Sequence, residues 1–197
     1  MSYRLKHTFD LSASFFGLIT TWWIIILAWI IASIETKSNG FFIQKRVGRS
    51  GKLFYVIKIK TMKSVAGIDT TITTSNDKRI TKSGVFFRKT KIDELPQLWN
   101  VFRGEMSFVG PRPDIPGYAD KLNEEDRLIL NLKPGITGPA SLKYANEEEL
   151  LSMVDNPKQY NDQIIFPDKV KINLEYYYNN SFFGDLKLIF RTIYRSN

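Results

Sequence analysis

Apolar residues crowd the start of the chain and give way to alternating and helical patterns further on. The run LSASFFGLITTWWIIILAWIIASI, residues 11–34, holds twenty-four residues without a charge, three of them Trp. At about 1.5 Å per residue it is long enough to cross a hydrocarbon core about 30 Å thick. Its apolar surface continues all the way round, which predicts a membrane helix rather than a buried core helix. A cleaved signal peptide would have a shorter apolar core, about 7–15 residues, followed by a small-residue cleavage site. Arg4 and Lys6 precede the run and Lys37, Lys45 and Arg46 follow it, so the basic bias pulls both ends toward the cytoplasm. That favours a re-entrant helix, in and out on one face, broken at Gly17 or at Thr20-Thr21, whose hydroxyls can bond back to earlier carbonyls. From the residues alone a single crossing stays open as the alternative.

After Phe41 the period changes to two. FFIQKRVGRSGKLFYVIKIKTMK reads as a hairpin about an Arg49-Ser50-Gly51-Lys52 turn. Alternation in its second run sends Ile57 and Ile59 to one face and Lys58 and Lys60 to the other, as a solvated pair or a phosphate-facing one. GIDTTITTSNDKRI, residues 67–80, has few large apolar residues and reads as a loop. A helical period appears in DELPQLWNVFRG, where Leu95, Leu98, Trp99 and Phe102 fall at i, i+3, i+4 and i+7 and Arg103-Gly104 closes the helix. Pro96 belongs in its first turn, which puts Asp93 and Glu94 at the helix start. In the last segment, Leu186, Ile189, Phe190 and Ile193 form an apolar stripe beside Lys187, Arg191 and Arg195. Such a helix suits a headgroup layer or a core, and Tyr176, Tyr177 and Tyr178 just upstream favour the interface.

Charge and composition narrow the chemistry. There are 28 Lys+Arg against 20 Asp+Glu, a net charge of +8, which calls for an anionic partner: nucleic acid, a lipid surface or a phosphorylated substrate. With no cysteine and the single His7, thiolate catalysis, disulfides, His-based triads and zinc sites fall away. What remains is carboxylates, Lys, Arg, hydroxyls, backbone or a hard metal. Asp93 could cap a helix, or Thr90 could cap it with Asp93 as its partner, each contributing about 1 kcal/mol. The sharper reading is that the two carboxylates hold Mg2+ together with phosphate, or that one attacks phosphorus to form an acyl phosphate. Downstream, SFVGPRPD sets Arg112 between Pro111 and Pro113, two residues that stiffen the backbone around a phosphate-gripping guanidinium.

FFIQKRVG, IKIKTM, DELPQLWNVFRGEMSFVGPRPD, LKPGITG and SFFGDLKLIF stand in the order seen in the bacterial sugar transferases, the small monotopic phosphoglycosyl transferases, and the chain resembles that family over nearly its whole length. The resemblance implies an α+β, mainly helical monotopic membrane protein. It would have a re-entrant membrane helix within residues 1–38, a small β-hairpin, amphipathic interfacial helices and a catalytic domain over 39–197, together one functional unit. It implies transfer of a phosphosugar from a UDP-sugar, N-acetylated in our reading, to undecaprenyl phosphate with release of UMP. The reaction would need Mg2+ and take place at the cytoplasmic face of the bacterial inner membrane, with downstream glycosyltransferases as further partners. By the same resemblance Asp93 is the nucleophile of a covalent intermediate, and Glu94 assists at the metal or at the acceptor phosphate. Lys60, Arg88 and Arg112, with Pro111 and Pro113, take phosphate-binding or structural roles.

The chain departs from the family's pattern twice. The membrane helix lacks the proline usual at its break, and after ITG it reads Pro139, Ala140 and SLKYANEEEL where an Asn-Gly-Arg is usual. Lys143 is the candidate replacement on the nucleotide-sugar side. Two other classes compete with the transferase. In a membrane-anchored scaffold, +8 attracts anionic lipid and the carboxylate pair only caps a helix. A nucleic-acid binder fits worst, because the aromatics cluster in the membrane segment and the last helix instead of interleaving with basic residues.

Overall fold

The computed structural model describes residues 3–65, 73–75 and 77–195; within the stretch read as a loop, residues 67–72 and 76 lie outside the described residues. The apolar run forms part of one helix, α1 (Tyr3–Thr36), about 50 Å long at 1.5 Å per residue. It is long and apolar enough to cross a membrane. The expected break takes no residue out of the helix. Thr20 Oγ1 donates to the carbonyls of Phe16 and Gly17 (2.9 and 3.1 Å), and Thr21 Oγ1 to that of Gly17 (2.7 Å), bonding that can bend an axis while leaving the ladder continuous.

One stripe of α1 carries its small and polar residues, and that stripe is the buried one. Asp10, Ser14, Ala28 and Ala32 are buried, spaced by multiples close to the helical repeat, and a Cβ on Gly17 would sit 3.1 Å from Leu98. Small residues let helix and domain approach closely. On the remaining faces Phe15, Phe16, Trp22, Trp23, Ile26, Ile30 and Ile34 are exposed. The ends of α1 are tethered as well. Lys6 pairs with Asp185 and donates to the Val109 carbonyl (2.8 Å), while Glu35 accepts from the Ser83 backbone N–H (3.2 Å) and its hydroxyl.

The hairpin forms as the alternation predicts. β1 (Phe41–Val47) and β2 (Leu53–Ile59) pair antiparallel from Phe41↔Ile59 to Val47↔Leu53, with Ser50 and Gly51 at positive φ in the turn. Both faces are covered in places. Ile59 packs with Ala28, Ala32 and Phe87 on the α1 side, and Val56 with Val101 and Met106 on the other. α2 (Lys82–Thr90) follows, capped by Thr81, whose side chain accepts from the Gly84 N–H.

α3 (Gln97–Phe102) is shorter than the pattern predicts and rotated from it. Its buried residues are Gln97, Leu98, Asn100 and Val101, and Trp99 faces outward. The reason is the 3₁₀ turn Ile92–Glu94 ahead of it. At three residues per turn it shifts the phase projected from Leu95 before the α-helix begins. Phe102 instead stacks on Phe15 of α1 at 6.0 Å. Asn100 anchors the inner face: its amide donates to the Tyr55 carbonyl (2.7 Å) and Glu105 (2.8 Å), and its oxygen accepts from the Ile57 N–H (3.2 Å).

β3 (Ser107–Val109) and β4 (Gly135–Thr137) form a parallel pair with Ser107↔Gly135 and Val109↔Thr137. Backbones pass so closely here that a Cβ on Gly110 would meet the Lys133 carbonyl at 2.2 Å, and one on Gly135 the Gly110 nitrogen at 2.1 Å. The rest is helical: α4 (Pro139–Lys143), α5 (Glu147–Ser152), α6 (Pro157–Tyr160), a π turn at Asn161–Ile165, α7 (Phe166–Asn179) and α8 (Phe182–Arg195). α8 lies on β3 and β4, joined by Thr137 and Thr192 hydroxyls at 2.6 Å. It divides the expected stripe, half-burying Leu186 and Ile189 while Phe183, Phe190, Ile193 and Tyr194 stay exposed. Tyr176 turns inward, against the interfacial expectation, because its hydroxyl reaches Asp185 at 2.6 Å; Tyr178 remains exposed.

Because the Asn100 side chain satisfies two backbone groups of β2 and also holds Glu105, Asn100→Leu should destabilise the protein by about 2–4 kcal/mol through stranded partners. Thermal unfolding of the purified variant in detergent measures this, and an unchanged midpoint would refute it.

Candidate active site

α2 ends at Lys91 in the left-handed region (φ 59), and the 3₁₀ turn that follows directs Asp93 inward, to 8% exposure. Neither predicted capping role is filled. The Thr90 hydroxyl bonds back to the Phe86 carbonyl at 2.8 Å, and no side chain caps α3. Asp93 Oδ1 is buried without a hydrogen-bond partner among the described residues. Its neighbour is the opposite case: Glu94 Oε1 accepts from Lys58 Nζ at 2.9 Å and from Arg112 Nη2 at 2.8 Å.

Arg112 reaches Glu94 from a held segment. Pro111 and Pro113 are both buried, while Arg112 is 46% exposed. The Pro111 carbonyl accepts from the Gly135 N–H (2.8 Å), the Asp114 carbonyl from the Val47 N–H (2.8 Å), and the Pro113 carbonyl from Arg46 Nη1 (3.1 Å). So the stiff Pro-Arg-Pro turn is bolted to β1 and β4. Arg88 of α2 donates to Thr61 Oγ1 (3.1 Å) and, through Nη1, to both oxygens of Glu148 (2.8 Å each).

The electrostatics separate the two carboxylates. Burial, with the Glu94 charge second, pushes Asp93 up to about 6. Burial acts on Glu94 too, but Arg112 and Lys58 outweigh it and hold Glu94 well below the usual carboxylate range. Burial and Arg112 lower Lys58, whereas Glu94 raises Arg112. The result is one carboxylate held in its charged form and paired through Oε1, beside one that is pushed up to about 6 and keeps an unused oxygen. Carboxylates pushed apart in this way take different roles in a reaction.

The sequence profile of the family described as bacterial sugar transferase matches residues 1–196 of this chain. The chain belongs to the bacterial sugar transferase family. It is 35% identical over 189 residues to the uncharacterized sugar transferase EpsL of Bacillus subtilis strain 168, covering 96% of this chain and 85% of that protein. It is 35% identical over 181 residues to the UDP-glucose:undecaprenyl-phosphate glucose-1-phosphate transferase of Klebsiella pneumoniae. That match covers 86% of this chain and 36% of the relative. The UDP-galactose-lipid carrier transferase of Erwinia amylovora is 32% identical over 208 residues, covering 96% of this chain and 39% of its own length. The last two relatives are thus much longer proteins, matched over little more than a third.

For this sugar transferase the structure brings Asp93, Glu94 and Arg112 together, with Arg88 close enough for its charge to act on Asp93. It does not bring Lys60 there. β2 ends at Ile59, and the Lys60 ammonium goes to Ser38 Oγ at 2.8 Å, at the junction of α1 and β1. Lys58 fills the place instead. Lys143 is likewise occupied, by Asp168 at 2.6 Å. Arg46, Asp114 and Gln97 were not singled out by the sequence reasoning. Arg46 shares the hairpin face of Lys58, which the register Arg46↔Phe54 and Phe42↔Lys58 could have revealed. Asp114 is pushed up to about 6 by burial. Gln97 buries an amide nitrogen with no partner among the described residues, and no pattern in its own segment signals that.

No three acidic or histidine side chains converge on a cation site among the described residues. Mg2+ commonly takes one or two carboxylates and completes its shell with phosphate oxygens and water. The unpartnered oxygen of Asp93 next to the Glu94 carboxylate fits that donor set.

The folded state binds the Asp93 proton more tightly than the unfolded chain, since about 6 lies above the ordinary aspartate value of 3.8. Stability from this group is therefore present at low pH and lost as pH rises through about 4 to 6. Asp93→Asn should then stabilise the protein by about 1–3 kcal/mol near pH 7.5, and less near pH 4. Melting temperature against pH reads this directly, whereas a capping carboxylate would give a loss of about 1 kcal/mol.

Proposed function

We propose that this chain transfers a sugar 1-phosphate from a UDP-sugar to undecaprenyl phosphate, releasing UMP, by way of a covalent Asp93 intermediate. The observation that carries this is the buried, unpartnered Asp93 oxygen beside the Lys58–Glu94–Arg112 charge cluster. In the first step an Asp93 oxygen bonds to the sugar-bearing phosphorus, and the bond from that phosphorus to the UMP oxygen breaks, its electron pair leaving with UMP. In the second, an oxygen of undecaprenyl phosphate bonds to the same phosphorus and the Asp93 carboxylate departs, leaving undecaprenyl diphosphate sugar. Burial leaves the attacking carboxylate poorly solvated, and Arg112 and Arg88 supply positive charge for the phosphoryl oxygens. Asp93 and Glu94 would hold Mg2+, which when bound supplies charge neutralisation to the diphosphate. The names of the Klebsiella and Erwinia relatives, which specify a UDP-sugar, and in one case undecaprenyl phosphate, support the substrate classes. An N-acetylated sugar is the donor we propose, and the product would pass to downstream glycosyltransferases.

The tethers at both ends of α1 support a re-entrant arrangement. With Lys6 and Glu35 both bound to the same domain, we read α1 as entering and leaving one leaflet. The exposed aromatics of α8 would rest in the headgroup layer, with the catalytic domain on the cytoplasmic side of the inner membrane. There the site would meet a lipid-borne acceptor. Cysteines placed at Thr8 and Ser38, in a chain that has none, should both react with an impermeant thiol reagent in inverted vesicles and neither in right-side-out ones. Labelling of the two from opposite sides would mean that α1 spans.

Intact-mass measurement of the detergent-purified protein with Mg2+ and a panel of UDP-sugars, N-acetylated ones included, should show a gain of one phosphosugar. Asp93→Asn should show none and lose at least about 1,000-fold in turnover. Because Asp93 must be ionised to attack, the rate should rise with pH through about 6. Retained UMP release in Asp93→Asn would refute the covalent route, and a scaffold would show no adduct with any donor.

A further inference from the structure

We infer that Glu148 occupies the seat of a substrate phosphate on Arg88, so that the donor must displace this carboxylate to bind and α5 sets donor affinity. That the displacing anion is the donor's diphosphate rests on the proposed function; the competition itself does not.

Arg88 is held by Thr61 at Nε, and its Nη2 lies 3.8 Å from Met62 Sδ. These contacts fix the plane of the guanidinium and leave Nη1 as the corner that meets an anion. Both Glu148 oxygens converge on that one nitrogen. With both Glu148 oxygens on it, that nitrogen has no N–H left for a phosphate oxygen, so the two anions compete for it. The pair can open: the Glu148 side chain is 46% exposed and Arg88 24%, and surface ion pairs of this kind are weak. Opening also leaves the backbone untouched, since the Glu148 carbonyl, which accepts from the Ser75 N–H at 3.1 Å, need not move with its side chain.

The same helix presents a second carboxylate to the same region. Glu147 accepts from Lys169 at 2.6 Å, and its charge reaches both Arg112 and Asp114. Glu149 faces away, 3.4 Å from Asn146 Nδ2. Residues 147 and 148 thus lay negative charge over the cations around Asp93, and residue 149 supplies a matched control of equal charge on the same short helix.

The test uses the full chain in detergent and inorganic pyrophosphate as the probe, followed by calorimetry. Glu148→Gln should bind pyrophosphate about 3-fold more tightly than the wild type, while Glu149→Gln should change binding by less than about 1.5-fold. In turnover with an accepted UDP-sugar, Glu148→Gln should lower KM by a similar factor with kcat little changed. Unchanged or weaker binding in Glu148→Gln, equal tightening in Glu149→Gln, or no pyrophosphate binding by either protein would overturn the inference. So would a fall in kcat, which would place Glu148 in the chemistry. If the wild type turns over no donor, the proposed reaction fails while the pyrophosphate comparison still decides the competition.

Discussion

The Glu94 carboxylate, shared by Lys58 and Arg112, is the interaction around which the catalytic part is organised. A buried charge must be matched or it destabilises the fold, and matching this one draws together β2, the 3₁₀ turn after α2 and the Pro-Arg-Pro segment after β3. With those three pieces in place, Glu94 consumes the nearest cations and Asp93 is left without its own partner. The unpartnered Asp93 oxygen therefore lies beside a neighbour that takes both nearby hydrogen-bonding cations.

The second constraint is the membrane helix. α1 does not stand apart from the catalytic domain; its small and polar stripe forms part of the domain's core, with Ala28 and Ala32 packed on Ile59 and Phe87. Ile59 follows Lys58 directly on β2, so the apolar residues that seat α1 and the lysine that matches Glu94 are fixed by the same strand. The seat of α1 and the charge cluster are therefore one residue apart on the same strand.

Much of this was legible in local patterns. The apolar run, the hairpin with its turn and the Gly104 stop all depend on contacts within a few residues, and each stands where its pattern places it, whereas the Asp-Glu pair falls in a 3₁₀ turn ahead of the helix whose start the pattern assigns to it. Errors arose where a longer-range fact intervened. The helical phase that points Trp99 inward runs through a turn that is 3₁₀ in the structure, and Trp99 faces outward. Lys60 and Lys58 could not be told apart by alternation, which assigns a face but not where a strand ends. The local pattern that marks Tyr176 as interfacial holds no record of Asp185, nine residues on, which accepts its hydroxyl.

By itself the sequence determined the long apolar helix, the hairpin and the family, because these rest on periodicity, length and contiguous motifs. Only the tertiary structure decided which carboxylate is matched and which is orphaned, which lysine reaches the site, and that Glu148 lies on Arg88. Those outcomes depend on side chains 18 to 60 residues apart meeting within hydrogen-bond distance. The free energy of a buried charge depends on such meetings, and no local pattern records them.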